Sequence, residues 1–293
     1  MSIENKDCCV LVTSSSLEHN NFYKILKAFY ELYDLKVQFK TLTLDEEFEY
    51  KSDDFYKQVL DNIEPTCKAL HIDSCLADKF INCVDFADDS VKLTRNANLI
   101  INTSGMKTAF NTSIYGLSTA IDRTCEENNR ITSFDKAVIM GNSACISSAI
   151  VSCAEKQIGS IYLLSENYAG KNNPYAIANR NGIAVEPLPY IAPNIVKDFL
   201  NEADLIISYL KNDENTYWKK HYSSKKNSVA VQIRTDTYPS EFIVKSMQDG
   251  SKVVSPFTIL FYQTLMSLKV IFGDIFEDDI NVVKKKVFEL AFR

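Results

Sequence analysis

The stretch 136–167, KAVIMGNSACISSAIVSCAEKQIGSIYLLSEN, constrains the fold most, because it reads as one complete strand, turn, helix, strand unit. The apolar run 137–140 after a lysine has the pattern of a strand buried on both faces, and Gly141 lets the backbone turn sharply. A helix is expected over 143–157. Ile146, Ala149, Ile150, Cys153 and Ala154 recur three and four apart to make one apolar stripe, and Gly159 supplies the stop before a strand at 161–164. In such a unit the first helical N–H groups point at whatever anion lies beyond the strand, commonly a dinucleotide pyrophosphate. Gly141, Asn142, Ser143 and Ala144 are the candidates to hold it, and Glu166, after the second strand, stands where an acid meets a ribose 2′-hydroxyl. Only the first glycine of a three-glycine fingerprint is present, so the turn reads equally well as a purely structural connection.

At 293 residues the chain has room for two domains. A net charge of −6 argues against a nucleic-acid surface; Lys219-Lys220, Lys225-Lys226 and 284–286 read as solvated faces. Eight cysteines without a C-x-x-C, beside only three histidines, point to free thiols in a reducing compartment and to no metal site. No apolar run reaches membrane-spanning length and the first nine residues are polar, so a cytoplasmic protein is expected.

Before this unit, strands are expected at 8–12, 37–42, 69–72 and 99–101, and helices at 21–32 and 53–63. A further helix is expected through Ile81, Val84 and Val91, and another at 117–125 ahead of a polar connector at 126–130. The hydroxyl-rich turn from Thr13 to Asn20 suits a carboxylate ligand, or simple capping of the next helix. Beyond the unit come strands at 184–186, 203–208, 228–233 and 253–254, and helices at 192–200, 240–248, 258–271 and 278–291. Alternation of this kind implies an α/β protein: an open α/β domain over 1–125, then a doubly wound parallel sheet over 126–256. The helices of 257–293 are expected to pack back onto the first domain.

The order of motifs resembles the shikimate dehydrogenase family over nearly the whole length. Thr13-x-Ser15-Ser16-x-x-His19-Asn20 is similar to the family's serine-x-serine-proline-x-x-histidine-asparagine, with the proline lost. Lys79 is the nearest match to its catalytic lysine, and Asn102-Thr103 matches an asparagine-threonine pair. Asn111-Thr112-Ser113 resembles asparagine-threonine-aspartate, with Ser113 in place of the catalytic aspartate. Gly141-Asn142-Ser143-Ala144 stands for the glycine-rich loop, and Ser165-Glu166-Asn167 for the asparagine-arginine-threonine that grips an NADP 2′-phosphate. The 203–208 run and Ile259-Leu260-x-x-Gln263 complete the series.

The resemblance implies a substrate-binding domain followed by a Rossmann-like one, with Thr13, Ser15, Asn102 and Gln263 holding a small carboxylate ligand and Lys79 and Ser113 at the reacting hydroxyl. It also implies a nicotinamide cofactor. Glu166 in place of a cation favours NAD over NADP, since a 2′-phosphate beside a carboxylate is repelled. Ser113 carries no charge, so a lysine that needs a partner to move protons has lost the family's own; Asp78, adjacent in sequence, points away from Lys79 if the segment is helical. Two readings follow: an oxidoreductase on a small hydroxy or keto carboxylate with altered motifs, and a non-catalytic metabolite- or partner-binding protein, with no cofactor, on the same scaffold.

Overall fold

The computed structural model describes residues 7–44, 51–128, 133–170, 172–189, 192–210, 222–274 and 279–293. The expected connector from residue 129 on, Lys219-Lys220 and the expected helix start at 278 lie outside them. The chain divides into two compact units, Met1–Thr112 with Gln263–Arg293, and Ser113–Tyr262.

In the first unit, β1 (Cys8–Thr13), β2 (Gln38–Thr43), β3 (Cys67–Ile72), β4 (Phe86–Ala87), β5 (Leu99–Thr103) and β6 (Met106–Phe110) form one sheet in the order β2-β1-β3-β5-β6-β4. The first three strands are parallel, and β5 runs antiparallel to both neighbours. Every residue of β1 is buried, which is why its sequence is an apolar run and not an alternation. One face packs Val10, Val12, Leu70 and Ile72 against Tyr56 and Leu60 of α2 (Asp53–Asp61). Helix α1 (Asn21–Leu32) buries Phe22, Ile25, Leu26 and Phe29, and its N-cap Asn20 accepts from the Tyr23 N–H at 2.9 Å.

Two sequence expectations fail here. The spacing of Ile81, Val84 and Val91 does not mark a helix: the chain makes 3-10 turns at Ser74–Leu76 and Ile81–Cys83, pairs β4 with β6, and only then forms α3 (Asp89–Thr94). Asp88 decides this, because its side chain accepts from the Ser90 N–H at 2.9 Å and so starts a new helix inside the expected one. Strand β6 was not expected. Ser104 and Gly105, at φ 53° and 91°, make the two-residue turn that folds it back on β5.

The second unit opens with α4 (Ser113–Glu127), longer at both ends than expected. Strands β7 (Lys136–Met140), β8 (Ser160–Leu164), β9 (Glu186–Leu188), β10 (Leu205–Ser208), β11 (Val229–Gln232) and β12 (Lys252–Val254) are all parallel, in the order β12-β11-β10-β7-β8-β9. Around them stand α5 (Ala144–Glu155), α6 (Pro174–Arg180), α7 (Pro193–Glu202) and α8 (Glu241–Gln248). The strand order reverses between β7 and β10, the topological switch point where ligands of open α/β sheets bind. Helix α6 is the element the sequence reading missed in this unit.

Helix α9 (Pro256–Phe272) passes through the division at 262/263, and α10 (Ile280–Ala291) packs on α1. Among the described residues no helix is long and apolar enough to cross a membrane.

Candidate functional site

In the first unit the parallel strands β1 and β3 end side by side, so Thr13 and Asp73 meet although 60 positions apart. The Thr13 hydroxyl donates to Asp73 Oδ2 at 2.7 Å and accepts from Asn20 Nδ2 at 3.1 Å and the Ser15 N–H at 3.0 Å. Asp73 also accepts from Asn20 Nδ2 at 2.6 Å and from the Ser74 N–H at 2.6 Å. A hydroxyl has one proton, and Thr13 has spent it. The expectation that Thr13 donates to a ligand carboxylate is corrected: this buried side chain organises the loop from beneath. Ser15 and Ser16 remain exposed above it, and Ser14 Oγ lies 3.1 Å from Cys75 Sγ.

Lys79 follows the 3-10 turn at the end of β3, its N–H donating to Leu76 O at 3.0 Å, with about a quarter (26%) of its side chain exposed. Because the segment is not helical, Lys79 Nζ comes within 3.8 Å of Asp78 Oδ2. The two side chains do not point apart, contrary to the helical expectation. The turn is tied to the start of β5 by Ala97 N–H donating to Ala77 O at 2.7 Å.

Asn102 is placed elsewhere. Its Nδ2 donates to Cys67 O at 3.0 Å and its Oδ1 accepts from the Gly105 N–H at 3.1 Å. Cys67 begins β3, whereas Asp73 follows its end, so Asn102 lies about 20 Å from the Thr13 end at roughly 3.3 Å per residue. The sequence reading overlooked that β5 is antiparallel, which reverses the end at which its last residues lie. The asparagine at the Thr13 end is Asn98, at the start of β5, whose carbonyl accepts from Ile72 N–H at 2.9 Å.

From Asn98 a buried relay runs into α9. Asn98 Nδ2 is 2.8 Å from Thr112 Oγ1, Thr112 Oγ1 is 2.8 Å from Ser267 Oγ, and Ser267 Oγ donates to Gln263 O at 3.0 Å. A carbonyl only accepts and an amide N–H only donates, so every proton in the chain is directed toward Gln263. Gln263 is thus tied by its carbonyl to the same end of the sheet, and Ser113, next after Thr112, is half-buried as the first residue of α4.

In the second unit the turn after β7 is a helix start. Ser143 caps α5, its Oγ accepting from the Cys145 N–H at 3.2 Å, and Gly141 sits at φ 131° with its N–H on Leu164 O at 2.9 Å. A Cβ at Gly141 would meet Tyr209 Cβ at 3.1 Å and Ile146 Cδ1 at 3.4 Å. The packing of this unit therefore demands the glycine whether or not a phosphate approaches it. Tyr209, just after β10, packs against Gly141, and the Arg234 guanidinium lies 5.3 Å from the centre of its ring. The neighbouring Cys145 and burial push the Tyr209 hydroxyl pKa up, against the opposing pull of Arg234. Arg234 is itself held by Asp236, with Nε 3.0 Å from Oδ1.

Beside the turn lies a cavity of about 440 Å³ lined by Asn142, Ser143 and Ala144 on one side and Ala169, Gly170, Asn172, Asn173 and Pro174 on the other. Asn173 Nδ2 bridges its walls, 3.2 Å from Asn142 Oδ1 and 2.6 Å from Asn167 O. Ser165 is turned inward, its hydroxyl donating to Asn167 O at 2.9 Å, and Tyr168 pins the loop through its hydroxyl, which lies 2.7 Å from Leu163 O and 2.8 Å from Leu188 O. Glu166 is exposed just past β8. The cavity has the volume and the neutral amide lining of a nucleoside pocket, and no described residue lining it is cationic. Asn142, Ser143 and Asn173 present amides and a hydroxyl to this cavity, and Tyr209 packs against Gly141.

No protein-family model matches the chain, and no curated protein matches it in sequence. Solved structures do match its fold: shikimate dehydrogenase of Mycobacterium tuberculosis superposes with a TM-score of 0.78 over 97% of this chain and 98% of that one, at 14% identity. The chain has the shikimate dehydrogenase fold. A Thermus thermophilus shikimate 5-dehydrogenase in complex with NADP(H) and shikimate matches at TM-score 0.73 and 12% identity, covering 97% of this chain and 99% of its own. The Corynebacterium glutamicum quinate dehydrogenase in complex with NAD matches at TM-score 0.74 and 10% identity, with the same coverage. Within the shikimate dehydrogenase fold this chain thus departs in its residues while keeping the two-sheet architecture whole.

Proposed function

We propose that the protein is a nicotinamide-dependent oxidoreductase of small hydroxylated compounds, with hydroxy acids the first class to assay and NAD its cofactor. The observation that carries this reading is the amide-lined cavity of about 440 Å³ between the segments that follow β7 and β8 at the carboxyl ends of the all-parallel sheet. Asn142, Ser143, Ala144 and Asn173 would hold the cofactor from the β7 turn and the facing loop, and the nicotinamide would supply hydride exchange at a substrate carbon. The described lining residues offer a 2′-phosphate no cation, and Glu166, exposed beside β8, disfavours it.

In this reading Lys79 moves a proton to or from a substrate hydroxyl, and Asp78, 3.8 Å from its ammonium, takes the role of the missing acid at Ser113. Turnover is tested by following NAD reduction across a panel of small cyclic and linear hydroxy compounds. Lys79→Ala is expected to lower kcat by about a hundredfold or more, with NAD affinity unchanged. No turnover with any member of the panel would overturn the reading.

A second reading, a non-catalytic binding protein, is favoured by Tyr209 packed against Gly141 at the turn a pyrophosphate would cross. It predicts ligand binding in the first unit without dinucleotide binding in the second.

A further inference from the structure

We infer that Asp73 is a specificity-determining residue, which makes the ligand group held at the ends of β1 and β3 an uncharged one, a hydroxyl, ester or amide, and turns a carboxylate away. The inference rests on the reading of this end of the first unit as ligand-holding, and within the small hydroxylated compounds it moves the preferred class from free hydroxy acids to neutral polyols and the esters of hydroxy acids.

A carboxylate ligand is stabilised by donors, and the Thr13 hydroxyl, the Asn20 amide and the Ser74 N–H all donate inward to Asp73 at 2.7, 2.6 and 2.6 Å. Asp73 is itself buried, with 9% of its surface exposed, directly under the serine-rich turn. A second carboxylate on that turn would share the same few donors with a fixed negative charge beneath them, the arrangement in which like charges disfavour each other most. The charge reaches the surface of the loop: after burial, Asp73 is the next cause raising the pKa of Cys75, whose sulfur lies 3.1 Å from Ser14 Oγ. Lys79, in the segment after Asp73, is already paired with Asp78. What remains on the outer side are Ser15 and Ser16, exposed hydroxyls that donate and accept with equal ease and so match a neutral hydroxyl or carbonyl.

The test is calorimetric titration of the full chain, without cofactor, with shikimate and with its methyl ester, which differ by one methyl group and the charge of the carboxyl group. The expected result is binding of the ester on the order of tenfold or more tighter than the acid. Asp73→Asn, which keeps the shape and an acceptor for Asn20, is expected to raise affinity for the acid about tenfold while leaving the ester unchanged. Equal or tighter binding of the acid by the unaltered protein would overturn the inference, as would an unchanged ratio in Asp73→Asn, or no saturable binding of either probe. Should the variant fail to fold, the ratio in the unaltered protein decides alone. Because no dinucleotide is present, failure of the proposed redox function leaves this result standing, and the reverse holds as well.

Discussion

Thr13 shows how far a single residue can be read from sequence. Its place at the end of an apolar strand and before a helix was legible, but its role was not, because nothing in the sequence aligns it with Asp73 60 positions away. His71 makes the same point about burial. It lies on β3 with no exposed surface, its Nε2 3.2 Å from the Tyr30 hydroxyl and its Nδ1 without a partner, and burial pushes its pKa down to about 3. The unfolded chain binds a proton at this residue below about pH 6.5, whereas the folded chain refuses it until about pH 3. Stability therefore falls as pH drops through that window, by about 2 kcal/mol between pH 6.5 and 5 from this residue alone. Urea unfolding at pH 7, 6 and 5 is expected to show that slope in the unaltered protein and a flatter one in His71→Gln; equal slopes would count against it.

Elements were legible where burial imposes a plain pattern. The β7, α5, β8 unit reads correctly in its elements because parallel strands covered on both faces are continuous apolar runs and the helix between them has a serine cap, although α5 is buried on every face from Ile146 to Cys153 and not along one stripe. The region from 73 to 110 did not read correctly, because capping by Asp88 and the Ser104-Gly105 turn override apolar spacing, and Asn102 was carried to the wrong end of the sheet with them. Asn102→Ala is expected to cost about 1 to 2 kcal/mol of stability through the loss of its two hydrogen bonds, with ligand and cofactor titrations unchanged. A weakened ligand with unchanged stability would return Asn102 to the binding residues. At the β7 turn, Gly141→Ala meets both a φ of 131° and the Tyr209 side chain. A loss of more than about 1 kcal/mol in the same unfolding assay is expected, whether or not a dinucleotide is present. A stable variant that had lost only dinucleotide binding would show instead that the glycine serves the phosphate.

For the whole molecule, the alternation of strands and helices was enough to anticipate two α/β units and a doubly wound second sheet. The division at 112/113 and 262/263 lies elsewhere than the polar stretch at 126–130 suggests, since α4 packs with α5 and belongs to the second unit. A polar run marks a solvated surface, and here part of that surface is simply the end of a helix. The fold is thus shared with shikimate and quinate dehydrogenases at 10–14% identity, and the claim that most needs testing is that the second unit holds a nicotinamide cofactor. Calorimetric titration of the purified protein with NAD and NADP, separately and before any substrate, tests it most directly. Saturable binding of NAD, with NADP weaker by about tenfold or more, is the expected result, because the described cavity lining offers amides and no cation. Binding of neither dinucleotide, or tighter binding of NADP, would contradict the account.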